Sequence, residues 1–401
     1  MGVLSLSLLI AFIPAFLFFV TGIQETSAYT VLWAAPAILL SALMIAWAAE
    51  SAQYFVAQGF ALAMLAWMQT LPEFAVEAVL AWHQQTHLLL ANLTGALRLL
   101  TGVGWPLIYL TASIFHRKRT MQPLRRIELE QHHAVEVMAL MLPLLYMPVV
   151  AIKGSLSIVD GVVLLVMYAV YLIVLSRLPS EDHETIEDLE KIPRAIVTAE
   201  RSTRVLAITG LFLAGGALIY LSAEPFLASL LALSVVMGVP DFVFIQWIAP
   251  LVSEFPEMLS TLYWARRPGL GSMSLMNMVS SNINQWTMLT AMLPVVYSIS
   301  VGAPTAITFD AKQEAELWLT LGQAFMGLIF LINMELAWWE ALALGLLFLI
   351  PFADSRLAQP VTYLYAGWGV IEIVRMFTGH RPPRAFPLFA KVWNQHVRRV
   401  M

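Results

Sequence analysis

Apolar residues in this chain come in long blocks separated by short polar breaks. The pattern is neither the alternation of surface strands nor the one-sided stripe of surface helices. Stretches able to cross a hydrocarbon layer of ~30 Å lie at about 3–22, 28–57, 60–83, 87–113, 132–150 and 155–176. After a polar segment they resume at about 205–235, 239–263, 273–299, 315–333, 335–351 and 358–376. The blocks predict an all-α polytopic membrane protein with about twelve transmembrane helices in two sets of six. Residues 335–351 are the shortest block, and the longest are able to tilt or bend. The block at 3–22 has no basic flank and is followed at once by another, so it reads as a retained helix rather than a signal peptide.

Basic residues orient this map. With the N-terminus inside, Arg117, Lys118, Arg119, Arg125 and Arg126 fall in one inner loop. Arg177, Lys191, Arg194, Arg201 and Arg204 fall in or beside the central segment, and Arg266 and Arg267 after the eighth span. Arg375, Arg381, Arg384, Lys391, Arg398 and Arg399 lie at or beyond the last span. Only Lys153, Lys312 and Arg356 fall outside, and Arg98 alone falls within a span. The imbalance predicts both termini in the cytoplasm, in a cell membrane or bacterial inner membrane. The central segment 177–204 mixes these bases with acids and lacks EF-hand spacing, so it reads as a solvated linker. The basic, aromatic tail fits contact with anionic lipid headgroups.

Composition agrees. The chain is 60% hydrophobic and 12% charged, against roughly 25% charged in soluble domains. Its mean hydropathy is +0.77. The absence of cysteine excludes disulfides and thiol chemistry. His132 and His133 are adjacent, not one helical turn apart, and sit at a loop edge. A net charge of −4 argues against nucleic acid as a partner, leaving cations and membrane lipids. No phosphate-binding G-x-x-x-x-G-K-[ST], H-E-x-x-H or G-x-S-x-G pattern is present, so nothing points to ATP use, to an enzyme or to a resident cofactor.

Two acidic elements interrupt the apolar blocks and look like copies. One reads Thr70-Leu-Pro72-Glu73 and is followed by Asn92; the other reads Glu254-Phe-Pro256-Glu257 and is followed by Asn277. A proline removes a helix hydrogen bond, and an intramembrane carboxylate must be paired, protonated, hydrated or cation-bound. Pro72 and Pro256 are therefore expected to interrupt or bend their helices and free carbonyls. Glu73 falls in the third span and Glu257 in the eighth, an odd separation, so the copies run in opposite directions through the membrane. That predicts two inverted repeats whose acids meet near the midplane. Carboxylate and carbonyl oxygens suit a hard cation such as calcium; sodium can use the same oxygens, and magnesium sheds its water reluctantly.

Glu77 and Glu254 share a helix face with Glu73 and Glu257. Four carboxylates in one region repel, so Arg98 is expected to pair with Glu77 or Glu254. Asn277, Ser281 and Asn284 can share a face of the ninth span, with Asn282 at its side. Helix–helix hydrogen bonding is the plainer reading of that stripe; ion coordination is the functional one, with Asn284 a candidate to line the ion pathway. Gly95 near Asn92 reads as a close-packing residue. Glu50 and Glu224, one before each element, are candidates to border an ion passage. Asp241, Glu335 and Glu340 read as interfacial acids.

These residues resemble the calcium/cation antiporter superfamily, particularly its sodium/calcium exchanger-like membrane region. In that family each of two inverted repeats carries Gly-Thr-Ser-x-Pro-Glu and then Gly-Asn-x-x-Gly-Ser-Asn. Here the first segments read Met68-Gln-Thr70-Leu-Pro72-Glu73 and Val252-Ser253-Glu254-Phe-Pro256-Glu257. The second segments read Ala91-Asn92-Leu-Thr-Gly95-Ala96-Leu97 and Met276-Asn277-Met-Val-Ser280-Ser281-Asn282. The resemblance implies a ten-helix core formed by repeats 28–176 and 205–351 around the linker 177–204. It leaves an extra helix at 1–27 and an extra helix with a basic tail at 352–401. It gives Glu73 and Glu257 the paired glutamate roles and Asn92, Asn277, Ser281 and Asn282 the polar helix positions, with Thr70 at a serine position. It implies a secondary antiporter exchanging calcium against sodium or protons. Gln69 replaces a threonine, Leu97 an asparagine and Glu254 a serine, and Glu77 stands where a small hydroxyl residue is usual. Neutral ligands are lost and acids gained, which suits proton coupling or a changed stoichiometry better than ordinary sodium coupling. A transport-inactive scaffold or cation sensor on the same fold is the alternative.

Overall fold

The computed structural model describes residues 27–52, 54–55, 70–178, 189 and 191–398. The block at 3–22, Met68 and Gln69, and most acids of the linker lie outside the described residues. The first half comprises α1 (Val31–Ala52), α2 (Leu71–Trp82), α3 (Thr86–Leu99), α4 (Trp105–Thr120), α5 (Ala134–Lys153) and α6 (Ile158–Leu175). A short α7 (Lys191–Val197) follows in the linker. The second half comprises α8 (Arg201–Met237), α9 (Asp241–Ala265), α10 (Gly271–Asn284), α11 (Thr290–Val301), α12 (Ala311–Leu331), α13 (Trp338–Ala353) and α14 (Ala358–Phe377). The described chain ends with α15 (Ala385–Val392) and one wide turn.

Among the described residues, seven helices are long and apolar enough to cross a membrane by length and composition. Of the helices carrying the polar elements, α3 (within Thr86–Thr120) and α9 are among them, and α2 and α10 are not. The reason is chemical: α2 has only 12 residues, and α10 carries three asparagines and four serines.

Matching features recur in the two halves. A five-residue π turn, Leu100–Gly104, joins α3 to α4, and another, Gln285–Leu289, joins α10 to α11. The α6 helix packs on α11 and the second π turn; α13 packs on α4 and the first. The α5 helix packs on α10, as α12 does on α3. Two short antiparallel ladders in the loops depart from a purely helical fold. The strand β1 (Arg126–Glu128) pairs with β4 (Glu335–Ala337), and β2 (Ser155–Leu156) with β3 (Ile307–Thr308). One ladder ties the loop before α5 to the loop before α13. The other ties the loop before α6 to the loop before α12.

The prolines behave differently from expectation. Pro72 stands in the first turn of α2, where its missing N–H is no loss. Pro256, expected to interrupt or bend its helix, lies with Pro250 inside α9 without interrupting it. Packing of α9 against α3, α8, α10 and α1 holds the helix through both sites. Pro250 nevertheless deprives the Gln246 carbonyl of its helical donor. Gly95 of α3 packs directly on that carbonyl, leaving no room for a Cβ.

Glu340, read from sequence as interfacial, is buried instead. It accepts from Arg381, which also donates to Glu372 at 3.1 Å and to the Phe330 carbonyl at 2.9 Å. The segment beyond α14 thereby reaches back and neutralises both acids. Glu335 fits the interfacial reading, paired with Arg126 at 3.1 Å beside the first ladder.

Candidate functional site

The helices α2 and α9 bring their glutamates to one buried place. Glu73, Glu77, Glu254 and Glu257 are all at most 4% exposed. Glu254 lies against both Glu73 and Glu257, and Glu77 adds its charge from one turn further along α2. Carboxylates this close repel unless a proton or a cation lies between them.

Gln285, at the start of the second π turn, binds the chain together. Its Nε2 donates to Glu73 at 2.6 Å and to Glu254 at 2.7 Å. Glu257 accepts the Ser281 hydroxyl, and Asn92 Nδ2 donates to Glu77 at 3.3 Å. Asn284 Nδ2 donates to the Thr70 hydroxyl at 2.5 Å. Residues from α2, α3, α9 and α10 thus converge, as the paired elements predict. Gln285 was not singled out from sequence, although it stands four residues beyond Ser281 and so continues the same helix face.

Several buried oxygens here have no hydrogen-bond donor among the described residues: Glu73 Oε1, Glu77 Oε2, Glu257 Oε2, Asn92 Oδ1 and Gln285 Oε1. Buried acceptors without donors are costly, and a hard cation with oxygen ligands satisfies such a set. The same residues include no ready-made cage of three or more His, Asp or Glu side chains. The acids form a chain bridged by an amide, so side-chain rotation must precede tight coordination. Asn282 is buried with neither side-chain polar atom partnered, and Asn277 is half-buried with an unpartnered Nδ2. Neither is bonded to the glutamates.

Arg98 does not pair with Glu77 or Glu254. It is 1% exposed, and its guanidinium binds Glu316 of α12 at 2.9 Å. Gln246 Nε2 donates to the same oxygen at 2.8 Å, and Trp247 covers the guanidinium at 5.0 Å from its ring centre. Packing of α3 on both α9 and α12 sets this choice, because it carries the long side chain away from α2. Glu316 was not anticipated, though a carboxylate inside the first turns of an apolar block is itself a signal.

Glu224 is exposed on α8 and lies 3.4 Å from His83, at the opposite end of α2 from Glu73. Asp241, at the start of α9, lies 3.8 Å from His87. Glu50 is half-buried near the end of α1. None of the three belongs to the glutamate chain.

A bundle of apolar helices with matching halves, joined at a buried chain of carboxylates, defines an integral membrane protein built to handle ions. The sodium/calcium exchanger protein family matches residues 26–177 and 207–352. Among solved structures, the H+/Ca2+ exchanger CAX is 30% identical, with coverage of 96% of each chain and a TM-score of 0.87. YfkE shares the fold at 12% identity and a TM-score of 0.62, covering 90% of this chain and 99% of its own. The sodium-calcium exchanger NCX_Mj shares it at 18% identity and a TM-score of 0.52, covering 79% and 94%. A search of curated proteins finds no match. The chain belongs to the sodium/calcium exchanger family.

Proposed function

We propose that the protein is a secondary antiporter that carries calcium between the two halves and returns protons, with sodium as the alternative counter-ion. The observation that carries this reading is the meeting of Glu73 and Glu257 through Glu254. Each comes from an acid–proline element of a different half, and buried oxygens without donors surround them. Similarity to CAX, an H+/Ca2+ exchanger, supports the proton as counter-ion.

Glu73, Glu254 and Glu257 supply charge to the ion, and Thr70, Asn92, Ser281 and Asn282 supply neutral oxygens. Asn277 is the further neutral member of the proposed set, and Glu77 lies one turn along α2 from Glu73. Gln285 holds Glu73 and Glu254 together when calcium is absent and releases them when it binds. A carboxylate that binds either calcium or protons, never both, couples the two fluxes without a separate device. Occupancy of either kind removes the repulsion and permits the site to change the side from which it opens.

The matched segments 26–177 and 207–352, the paired π turns and the exchanged ladders support inverted repeats at 28–176 and 205–351. The ladders also group the loops as the basic residues do. The loops at 126–128 and 335–337 share one face, proposed as cytoplasmic; those at 155–156 and 307–308 share the other.

Liposomes loaded with a pH-sensitive dye and an acidic lumen test the coupling. Calcium added outside is expected to raise luminal pH without any sodium present. A strict requirement for a sodium gradient transfers the coupling to sodium. Absence of calcium uptake under both gradients favours the scaffold or sensor.

A further inference from the structure

A second buried polar group stands beside the glutamate chain and takes no part in holding it. His133 and Glu136, at the start of α5, are 3% and 6% exposed. Their Nδ1 and Oε2 atoms are 3.9 Å apart, beyond hydrogen-bond length, and neither has a hydrogen-bond partner among the described residues. The Glu136 carboxylate lies within electrostatic reach of the Tyr171 hydroxyl on α6. That hydroxyl bonds the Ser280 hydroxyl of α10 at 3.0 Å. Tyr168 adds a further buried hydroxyl without a partner, its ring centre 6.2 Å from that of Tyr171. Ser280 immediately precedes Ser281, which holds Glu257.

Packing does not require these groups. A buried imidazole nitrogen and a carboxylate oxygen left without hydrogen bonds cost free energy that an apolar pair avoids. What they share is the ability to take up and release a proton, with hydroxyls able to do both at once. A water bridges a gap of the His133–Glu136 kind. Helical side chains lean toward the helix N-terminus. Tyr171, near the end of α6, therefore reaches back from the loop face toward the middle of the bundle, where Ser280 stands.

We propose that His133, Glu136, Tyr171 and Ser280 form a proton path between the face bearing the basic loops and the glutamate chain. The path rests on the proton-coupled antiport proposed above and supplies its counter-ion step. The other half has no equivalent, because Glu316 is paired with Arg98 and accepts a hydrogen bond from Gln246. The charged neighbours are few. The His132 ring lies tilted against His133, 4.1 Å between ring centres, and 3.8 Å from the exposed Glu130, and Lys391 donates to Gln131. Arg177 lies half-buried just beyond α6. The α10 helix contributes no charge, and the charged residues of α12 lie at its opposite end, where Glu314 approaches Gly154.

The test compares two fluxes in proteoliposomes holding the full chain: calcium uptake driven by a pH gradient, and exchange of calcium for calcium, which moves no proton. Glu136→Gln and Tyr171→Phe are each expected to slow the first by at least about tenfold and leave the second unchanged. Equal loss of both fluxes gives these residues a packing role and overturns the path. Unchanged pH-driven uptake in both variants overturns it as well, while leaving the antiport standing. Wild-type uptake indifferent to the pH gradient removes proton coupling itself, and the path with it.

Discussion

At the scale of single residues, Gln285 links two members of the glutamate chain. One amide nitrogen donates to two carboxyl groups. Replacing it with alanine leaves both acids facing each other unbridged. Gln285→Ala is expected to lower stability without calcium by about 1–3 kcal/mol, and calcium is expected to restore more of it than it adds to the wild type. Thermal unfolding in detergent, with and without calcium, measures both effects. A variant as stable as wild type without calcium removes the amide from this role. Glu73 and Glu257 were legible in the sequence as acids of one buried site, because a carboxylate beside a proline in an apolar block must be paired, protonated or cation-bound. Gln285 was not, because the repeated element ends before it and only continuation of the helix face points to it. Arg98 was legible as a buried charge but not in its partner, since spacing along one helix does not tell which neighbour it packs against.

At the scale of elements, the α3–α9–α12 contact is fixed by two features. Gly95 sits on the carbonyl that Pro250 leaves free, and Arg98 closes on Glu316 and Gln246. Removing one partner of a buried pair strands the other. Arg98→Met is expected to cost about 3–5 kcal/mol, and adding Glu316→Gln to recover most of it, because the pair itself contributes little net stability once both charges are gone. Unfolding of the single and double variants checks this; no recovery in the double variant places the contribution of Arg98 in its ring contacts instead. The apolar blocks foretold the seven long apolar helices, because length and hydropathy suffice for that, but not the short α7 in the polar linker. They did not foretell that α9 runs unbroken through Pro256, which depends on the helices packed around it. Nor did they foretell the two ladders, whose strands are two or three residues long and carry no periodic signal.

At the scale of the whole molecule, the two halves place like elements in like contacts, and their acids meet where the halves face each other. The pairing of the acid–proline elements made the meeting of Glu73, Glu254 and Glu257 readable in the sequence, and their odd spacing is the basis of the proposed inverted repeat. The closing of the far end by Arg381 on Glu340 and Glu372 was not readable, because it joins residues distant in sequence with no shared motif. The central claim is that both halves supply ligands to one transported calcium. Uptake of radioactive calcium into proteoliposomes under an imposed pH gradient, for the wild type, Glu73→Gln and Glu257→Gln, tests it most directly. The account predicts gradient-dependent uptake by the wild type and none above empty liposomes for either variant, though both fold. Uptake that survives loss of either glutamate contradicts it.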